Sequence, residues 1–288
     1  MSRWSCCPAP GMTPDEYCQQ KAAASGSSFY YSFLFLPPEK RRAITALYAF
    51  CREVDDVVDE TSDSHVAATK LAWWRSEVAN LYASKPQHPV TLALKPHVSM
   101  YAIGAERLNE IIDGMEMDLT QTRYLDWPGL ERYCYRVASV VGIVAAGIFG
   151  YRESRTLDYA KDLGIAFQLT NIIRDVGEDA RKNRIYLPMA DLKTFDVPAS
   201  DILQARHTPQ FERLMQFQAA RARTHYESAL AALPGADRRA QRPGLIMAAI
   251  YRTLLEEIES DGFKVLERRI SLTPLRKFWI AWKTWVSA

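Results

Sequence analysis

Apolar residues recur three and four positions apart in almost every segment of this chain of 288 residues. That spacing places them on one face of an α-helix. No segment alternates apolar and polar residues and then turns, as paired β-strands do. Thr13 and Pro14 suit the cap and the first position of the first helix. The pattern predicts one all-α domain over residues 13–288, which follows a disordered lead-in at residues 1–12.

Two of the predicted helices have an unusual composition. The stretch YCYRVASVVGIVAAGIFG is rich in small residues and poor in charges, which favours a closely packed central helix. The C-terminal stretch LRKFWIAWKTWVSA places Leu275, Trp279, Trp282 and Val286 on one stripe, with lysines nearby. Because tryptophan prefers the membrane interface, this stripe either packs onto the core or makes a weak peripheral contact with a membrane.

Composition argues against several classes of protein. The net charge is +2 and no long basic stripe is present, so a nucleic-acid partner is not expected. The five cysteines show no CxxC pattern and are predicted to be reduced thiols of a cytoplasmic protein. The N-terminus lacks the apolar region of a signal peptide, and no run of about 18 apolar residues predicts a membrane span.

Two pairs of aspartates stand at helical spacing. Asp55 and Asp59 lie in CREVDDVVDE, and Asp175 and Asp179 lie in NIIRDVGED. Residues four apart in an α-helix share a face, so the two carboxylates of each pair repel one another unless a cation binds between them. Magnesium prefers hard oxygen ligands and usually binds one or two carboxylates together with substrate phosphates. Two facing helices with such pairs are predicted to make a cage for a metal-bound diphosphate.

The neighbours of these pairs strengthen the metal hypothesis. Arg52 and Arg174 lie next to the acids, and Asn171 lies one turn before the second pair, where it could add an oxygen ligand. The first pair stands in the apolar run AITALYAFCREVDDVV, so its acids are expected to face an interior, with no lysine in the motif to neutralise them. A third acidic pair, Glu257 and Asp261, is predicted to be a solvated helix face.

Three ordered segments resemble one known family. They are SSFYYSFLFLPPEKRRAITALYAFCREVDDVVDE, YCYRVASVVG and FQLTNIIRDVGEDARKNRIYLP, and they are similar to the squalene/phytoene synthases, which join prenyl diphosphates head to head. They are most like the bacterial hopanoid-pathway branch, which makes presqualene diphosphate. The resemblance covers nearly the whole chain. It implies the isoprenoid-synthase fold, a single helical domain around a central apolar cavity, with Mg²⁺ as the cofactor.

The resemblance also implies roles for individual residues. Metal is expected on Asp55, Asp59, Asn171, Asp175 and Asp179. Substrate is expected on Ser28, Tyr48, Arg52, Asp118, Gln168, Arg174, Arg184 and Arg268. The two aspartate pairs count among the catalytic residues, together with Tyr133, which is implicated in closing a cyclopropane ring.

Such a reaction needs a stabilised leaving group and dry walls around a cation. Magnesium and arginine neutralise the charge on a departing diphosphate. Phe29, Phe33, Tyr48 and the small-residue helix from Val137 to Gly147 are candidate walls, although ordinary core packing would explain them equally well. Tyr133 is predicted to relay a proton to the released diphosphate, because a neutral phenol with a pKa of about 10 is a poor base.

The sequence therefore predicts a prenyltransferase that condenses two farnesyl diphosphates to presqualene diphosphate, without NADPH in this step. Phytoene synthesis from two geranylgeranyl diphosphates and complete NADPH-dependent squalene synthesis remain open. Chain elongation is disfavoured, because Arg174 stands where elongating enzymes have an aspartate before Asp175. A non-catalytic assembly factor is a further hypothesis, but such a protein would have no reason to keep both acid pairs beside arginines.

Overall fold

The structure, a computed structural model, describes residues 11–24, 32–61 and 63–287, apart from the side chain of Glu60. All regular structure in these residues is helical, and one isolated bridge joins Arg123 to Ile185. The predicted all-α class is confirmed. The helices in chain order are α1 (Pro14–Ala24), α2 (Pro38–Glu60), α3 (Ser64–Tyr82), α4 (Pro89–Met100), α5 (Ala105–Thr120), α6 (Trp127–Cys134), a π-helix (Tyr135–Ser139), α7 (Val140–Phe149), α8 (Arg155–Arg181), α9 (Met189–Thr194), α10 (Ala199–Leu203), α11 (Pro209–Ala232), α12 (Arg242–Ser260), a 3₁₀ turn (Lys264–Leu266) and α13 (Pro274–Ser287).

The chain divides into two compact units. The first unit comprises Met1–Leu119 with Gly147–Phe149, and the second comprises Thr120–Ala146 with Gly150–Ala288. Each is described by itself below. The predicted single domain over residues 13–288 stays a prediction, and most of the predicted lead-in lies outside the described residues.

Side-chain caps explain where several helices begin. Thr13 and Glu16 form a reciprocal capping box, in which the Glu16 amide donates to Thr13 Oγ1 (3.3 Å) and the Thr13 amide donates to Glu16 Oε2 (2.8 Å). Asp63 accepts from the first amides of α3, and Thr208 accepts from the Phe211 amide at the start of α11. The predicted first helix, with Thr13 as cap and Pro14 at its first position, is confirmed.

In the first unit, α2 is an amphipathic helix. Its apolar residues include Leu47, Phe50 and Val54, which are fully buried, and the Phe50 ring meets the Trp74 ring edge-on with centroids 5.5 Å apart. Because the acids of this helix stand on its other side, Asp55 keeps 32% of its side chain exposed and Asp59 is exposed. The expectation that these acids face an interior is therefore met only in part: Asp55 is half-buried at the edge of the apolar face of the helix, whereas Asp59 is exposed.

In the second unit, two glycines let backbones approach α8 closely. A Cβ on Gly164 would lie 2.5 Å from Ser139 Cα, and a Cβ on Gly177 would lie 2.5 Å from the Val265 carbonyl oxygen. Real side chains do not tolerate such distances, so only glycine fits at either position. The first contact places the π-helix against α8, where the Ser139 hydroxyl donates to the Lys161 carbonyl (2.6 Å). The second places the C-terminal 3₁₀ turn between the positions of Asp175 and Asp179.

The predicted central helix runs without a gap from Trp127 to Phe149 but is not α-helical throughout. Its small residues do pack closely against α8, as expected, but Tyr135–Ser139 forms a π-helix between α6 and α7. A π-turn of this kind is uncommon and often marks a functional position. By length and composition alone Trp127–Phe149 could cross a membrane, but half of its most apolar window is buried inside the structure, as in a core helix.

Candidate functional site

The first candidate region is a group of acids on α2 and α5, which we call the Asp55 cluster. It consists of Asp55, Asp56, Asp59 and Asp118, with Arg52 among them. Arg52 donates from one guanidinium nitrogen to Asp55 Oδ2 and from the other to Asp56 Oδ1, each at 2.6 Å. The acids therefore outnumber the arginine, and the cluster carries an excess of negative charge.

The raised pKa of Asp55 reflects the same excess of negative charge. Burial first of all, and then the charges of Asp59, Asp56 and Asp118, raise the pKa of Asp55 to about 6, against the opposite effect of Arg52. Asp118 is buried on α5, 63 positions further along the chain. Its influence on Asp55 brings this predicted substrate-binding residue to the first aspartate pair.

A lysine from outside the motif also reaches this cluster. Lys21 of α1 contacts Asp56 Oδ2 at 2.7 Å and Glu53 Oε1 at 3.0 Å, and Glu53 also accepts from the Tyr17 hydroxyl (2.6 Å). No lysine lies within the motif, as the sequence indicates, and the one that reaches Asp56 comes from another helix, which the motif alone cannot reveal. Both Asp56 oxygens are engaged, so Asp55 and Asp59 remain the better metal ligands.

The second candidate region, which we call the Asp175 cluster, lies in the second unit. Its residues on α8 are Asn171, Arg174, Asp175 and Asp179, and Arg269 joins them from the C-terminal segment. Arg174 donates to both carboxylate oxygens of Asp175. Its Nε donates to Oδ1 at 2.7 Å, and a terminal nitrogen donates to Oδ2 at 2.5 Å. Arg269 Nε donates to the same Asp175 Oδ1 at 2.9 Å. Two guanidinium groups therefore converge on one carboxylate.

The structure separates two adjacent arginines that the sequence could not distinguish. Arg268, the predicted substrate-binding residue, forms an exposed ion pair with Asp261. Arg269 instead reaches Asp175, because the preceding 3₁₀ turn is held against Gly177 of α8. The substrate-binding role of Arg268 stays a prediction, and Arg269 is a further candidate that sequence reasoning missed. In the sequence, the only indication of a role for Arg269 was its position next to Arg268.

Lys277 adds positive charge to the Asp175 cluster. Burial, and then the charges of Arg174 and Arg269, lower the pKa of Lys277. Burial would also lower the pKa of Arg174. The hydrogen bonds to Asp175 and the negative charge of Asp175 outweigh burial, so the pKa of Arg174 is raised. Three cations close enough to influence one another are suited to a polyanion such as diphosphate.

Asn171 provides a test of whether magnesium fits here. Its Oδ1 is buried and accepts no hydrogen bond within the described residues, while its amide nitrogen lies 3.5 Å from Gln168 Oε1. A buried oxygen that accepts no hydrogen bond costs free energy unless a ligand binds to it. Within the described part of the chain, no group of three or more His, Cys, Asp or Glu side chains is arranged to hold a metal ion by itself. A hard cation that binds few carboxylates and keeps water or phosphate ligands fits this donor set.

Tyr133 lies in a group of three tyrosine rings in the second unit. Its ring stacks on Tyr186 with centroids 5.2 Å apart, and it lies 5.5 Å from Tyr124, which in turn stacks on Tyr186 at 5.8 Å. Hydrogen bonds from Ile185 and Met189 amides to the carbonyls of Thr122 and Tyr124 hold the two loops together. The sequence identified Tyr133 alone, because loop pairing between distant segments leaves no periodic signal.

The remaining candidates are placed as follows. Tyr48 and Phe33 both line a cavity of about 560 Å³ in the first unit, so two of the predicted aromatic walls share one space. Arg184 and Asp179 line one small cavity in the second unit. Apolar Val137, Ala138, Val141 and Ala145 are only half-buried, which suits walls better than core. Ser28 and Phe29 lie outside the described residues.

Comparison with known proteins gives consistent results. A family model described as squalene/phytoene synthase matches residues 22–276. A phytoene synthase of Arthrospira platensis is 33% identical over 292 aligned residues, which cover 96% of this chain and 94% of that protein. A dehydrosqualene synthase crystal structure superposes with a TM-score of 0.84 at 27% identity, covering 95% of this chain and 96% of that one. Squalene synthase HpnC of Alicyclobacillus acidocaldarius gives 0.78 at 26% identity, over 87% of this chain and 94% of that one.

Proposed function

Because the chain belongs to the squalene/phytoene synthase family and is thus an enzyme of the prenyltransferase type, we propose that it joins two farnesyl diphosphates head to head. The products are presqualene diphosphate, one free diphosphate and one proton. The observation that carries the proposal is the Asp175 cluster, where two arginines converge on one aspartate, a lysine is influenced by both arginines, and the same helix carries a buried Asn171 oxygen that accepts no hydrogen bond within the described residues. The other features below support it.

The basic residues bind and activate the leaving group. Arg174 and Arg269 offer planar forks for phosphate oxygens, and Lys277 adds a third cation. Both arginines donate to Asp175. A diphosphate would compete with Asp175 for them, and both guanidinium groups must turn to phosphate oxygens before both Asp175 oxygens become free.

Magnesium fits both clusters by the chemistry of their donors. Asp55 and Asp59 would hold it in the first unit, and Asn171, Asp175 and Asp179 in the second. Members of the family condense prenyl diphosphates with Mg²⁺. When bound, the ion neutralises charge that develops on the departing diphosphate. That the two clusters serve one substrate diphosphate is a prediction from the sequence.

Apolar and aromatic side chains protect the allyl cation that remains. The half-buried residues Val137, Val141 and Ala145 of the second unit exclude water from the prenyl chain. Phe33 and Tyr48 do the same in the first unit, and their ring faces attract positive charge.

Tyr133 handles the proton that is lost when the cyclopropane closes. Its ring is fixed between Tyr124 and Tyr186, so its hydroxyl has a defined position. A neutral phenol is a weak base, so the hydroxyl passes the proton on and the released diphosphate takes it up. Tyr133 thereby positions its hydroxyl group and relays the proton to the released diphosphate.

Phytoene synthesis from two geranylgeranyl diphosphates is the second candidate. It is favoured by the curated relatives, since the protein of Arthrospira platensis is named a phytoene synthase. The named structures instead include a dehydrosqualene synthase and a squalene synthase, which favour the shorter prenyl chain. Complete squalene synthesis with NADPH is the remaining extension of the first proposal.

One experiment separates these outcomes. The purified protein is incubated with farnesyl or geranylgeranyl diphosphate and Mg²⁺, with and without NADPH, and the products are identified by mass spectrometry. The proposal predicts presqualene diphosphate from farnesyl diphosphate without NADPH. Phytoene from the longer substrate alone would replace it with the second candidate, and squalene only with NADPH would extend it. No diphosphate release at any Mg²⁺ concentration would refute catalysis.

We also propose a cytoplasmic location. Cys18 and Cys51 are thiols, and burial raises the pKa of each to about 12, so both stay protonated and unreactive. This use of cysteine suits a reducing compartment. The near-zero net charge gives no support to a nucleic-acid partner.

A further inference from the structure

The last helix, α13, presents a continuous apolar stripe to solvent. The stripe consists of Leu275 (83% exposed), Phe278 (49%), Trp279 (59%), Trp282 (44%) and Val286 (65%). At 100° per residue these five positions fall within about one third of the helix circumference. The rings of Trp279 and Trp282 stack on one another, with centroids 5.2 Å apart, instead of inserting into the protein.

The opposite side of α13 packs within the second unit. Ala281 is fully buried, the Arg242 guanidinium lies 4.9 Å from the Trp285 ring centre, and Arg276 donates to Glu257 of α12 at 2.6 Å. The helix is thus anchored by a face other than its most apolar one. The alternative that the tryptophan stripe seals the core is ruled out for the described part of the chain.

Charge selects the partner of this stripe. The helix contains no aspartate or glutamate, and Lys283 is exposed beside the stripe, on the same side as Arg276, which is paired with Glu257. An apolar stripe with two indole rings beside basic side chains has the chemistry of a helix that lies at the surface of an anionic bilayer. We propose that α13 docks this protein on an anionic membrane surface, with the tryptophans at the level of the headgroups.

A second protein copy is a poorer occupant. The helix has 14 residues and is about 21 Å long, and a stripe of five side chains falls well short of the roughly 20 residues that each side of a stable protein interface provides. Two copies meeting through the stripe would also bring like-charged flanks together. A bilayer requires neither a large contact area nor a matching protein surface, so a single short amphipathic helix can insert into it.

The same helix connects the bilayer to the Asp175 cluster. Lys277 stands on the inner side of α13, where it is influenced by Arg174 and Arg269, only two residues from Trp279. A docked helix would hold this basic group near the membrane in which long prenyl chains dissolve. This consequence rests on the proposed function, whereas the docking itself does not.

Vesicle binding tests the proposal. Wild type, the double variant Trp279→Ser/Trp282→Ser and the control Trp73→Ser are sedimented with vesicles of phosphatidylglycerol and phosphatidylcholine. Trp73 is a matched control, since 45% of it is exposed and it lies in the first unit. We expect wild type and the control to bind alike and the double variant to bind at least about tenfold more weakly. Circular dichroism confirms that each variant is folded.

Two further arms identify the partner. Lys283→Gln is expected to weaken binding to anionic vesicles by about fivefold and to leave binding to phosphatidylcholine alone unchanged. Asp175→Asn is expected to bind vesicles like wild type, so that loss of catalysis and loss of docking can be told apart. Failure of wild type to bind anionic vesicles, or an equal loss in Trp73→Ser, would overturn the proposal. So would a concentration-dependent dimer in analytical ultracentrifugation that the double tryptophan variant dissolves.

Discussion

The two acidic clusters look alike in sequence but differ in electrostatic character. In the Asp55 cluster four acids outnumber the two cations, Arg52 and Lys21, and the pKa of Asp55 is raised to about 6. In the Asp175 cluster both oxygens of the central aspartate accept hydrogen bonds from two arginines, and Lys277 lies close enough to those arginines to be influenced by their charges. The first cluster therefore attracts a cation directly. The second attracts an anion, and its carboxylate becomes available to metal only as the arginines turn away.

This difference implies an order of events. A divalent ion can bind at Asp55 without substrate, because it relieves repulsion that is already present. At Asp175 the diphosphate and its metal must arrive together, since a lone cation meets two guanidinium groups. The same DxxxD spacing thus serves to bind a cation in the Asp55 cluster and a diphosphate in the Asp175 cluster. The neighbouring residues determine which of the two each cluster binds.

The largest effect is expected from neutralising Asp55. Asp55→Asn should lower kcat/KM by about 1,000-fold, because a metal that stabilises the leaving group loses its ligand. Asp56→Asn is the matched control, since Lys21 and Arg52 already engage both oxygens of that neighbour. We expect it to lose less than about tenfold. Steady-state diphosphate release measures both, and equal losses would remove the distinction between the two aspartates.

The adjacent arginines sharpen the description of the second cluster. Arg269→Gln should lower kcat/KM by about 100-fold, because a charged hydrogen-bond donor to the diphosphate is lost. Arg268→Gln should stay within about twofold of wild type, since its partner is the exposed Asp261. The same assay with both variants decides the matter. The reverse order would show that the C-terminal segment binds substrate through the other arginine.

The pH dependence of the metal requirement tests the first cluster. Asp55 must lose its proton to bind magnesium, so protons compete with the metal below its pKa of about 6. The Mg²⁺ concentration for half-maximal rate should rise about tenfold for each unit of pH below that value and be constant above it. Titrations of wild type at several pH values measure this. A requirement that does not change with pH would contradict the raised pKa.

The smallest effect concerns stability without metal. The folded-state pKa of Asp55 lies above the unfolded value of about 3.9, so this residue's contribution to stability is lost as pH rises through about 6. Above that pH, Asp55→Asn should raise the free energy of unfolding by about 1 kcal/mol, well below the full shift, because the side chain is 32% exposed. The gain should vanish near pH 4. Urea unfolding at both pH values checks the sign, with Asp56→Asn as the control.

Local patterns predicted much of this molecule. The helices follow from apolar spacing, and the acid pairs follow from positions four apart on α2 and α8. Arg52, Asn171 and Arg174 are in place because they belong to the same helices as the acids. The third acidic pair was predicted to be solvated, and Glu257 and Asp261 indeed form ion pairs near the surface.

Contacts between distant segments could not be predicted in this way. Lys21 reaches Asp56 from another helix, and Arg269 rather than Arg268 reaches Asp175 because Gly177 admits the C-terminal turn. The burial of one face of α2 left its acids partly exposed, although the surrounding run is apolar. The π-helix after Tyr133 depends on packing against Gly164, which no periodicity encodes.

Counting bound Mn²⁺ by electron paramagnetic resonance, with and without inorganic diphosphate, tests the division of tasks most directly. Wild type is predicted to bind metal without diphosphate and to bind more with it. Asp55→Asn should lose the diphosphate-independent ion, and Asp175→Asn should lose the additional one. The account would be contradicted if wild type bound the same number of ions under both conditions, or if Asp175→Asn lost metal that binds without diphosphate.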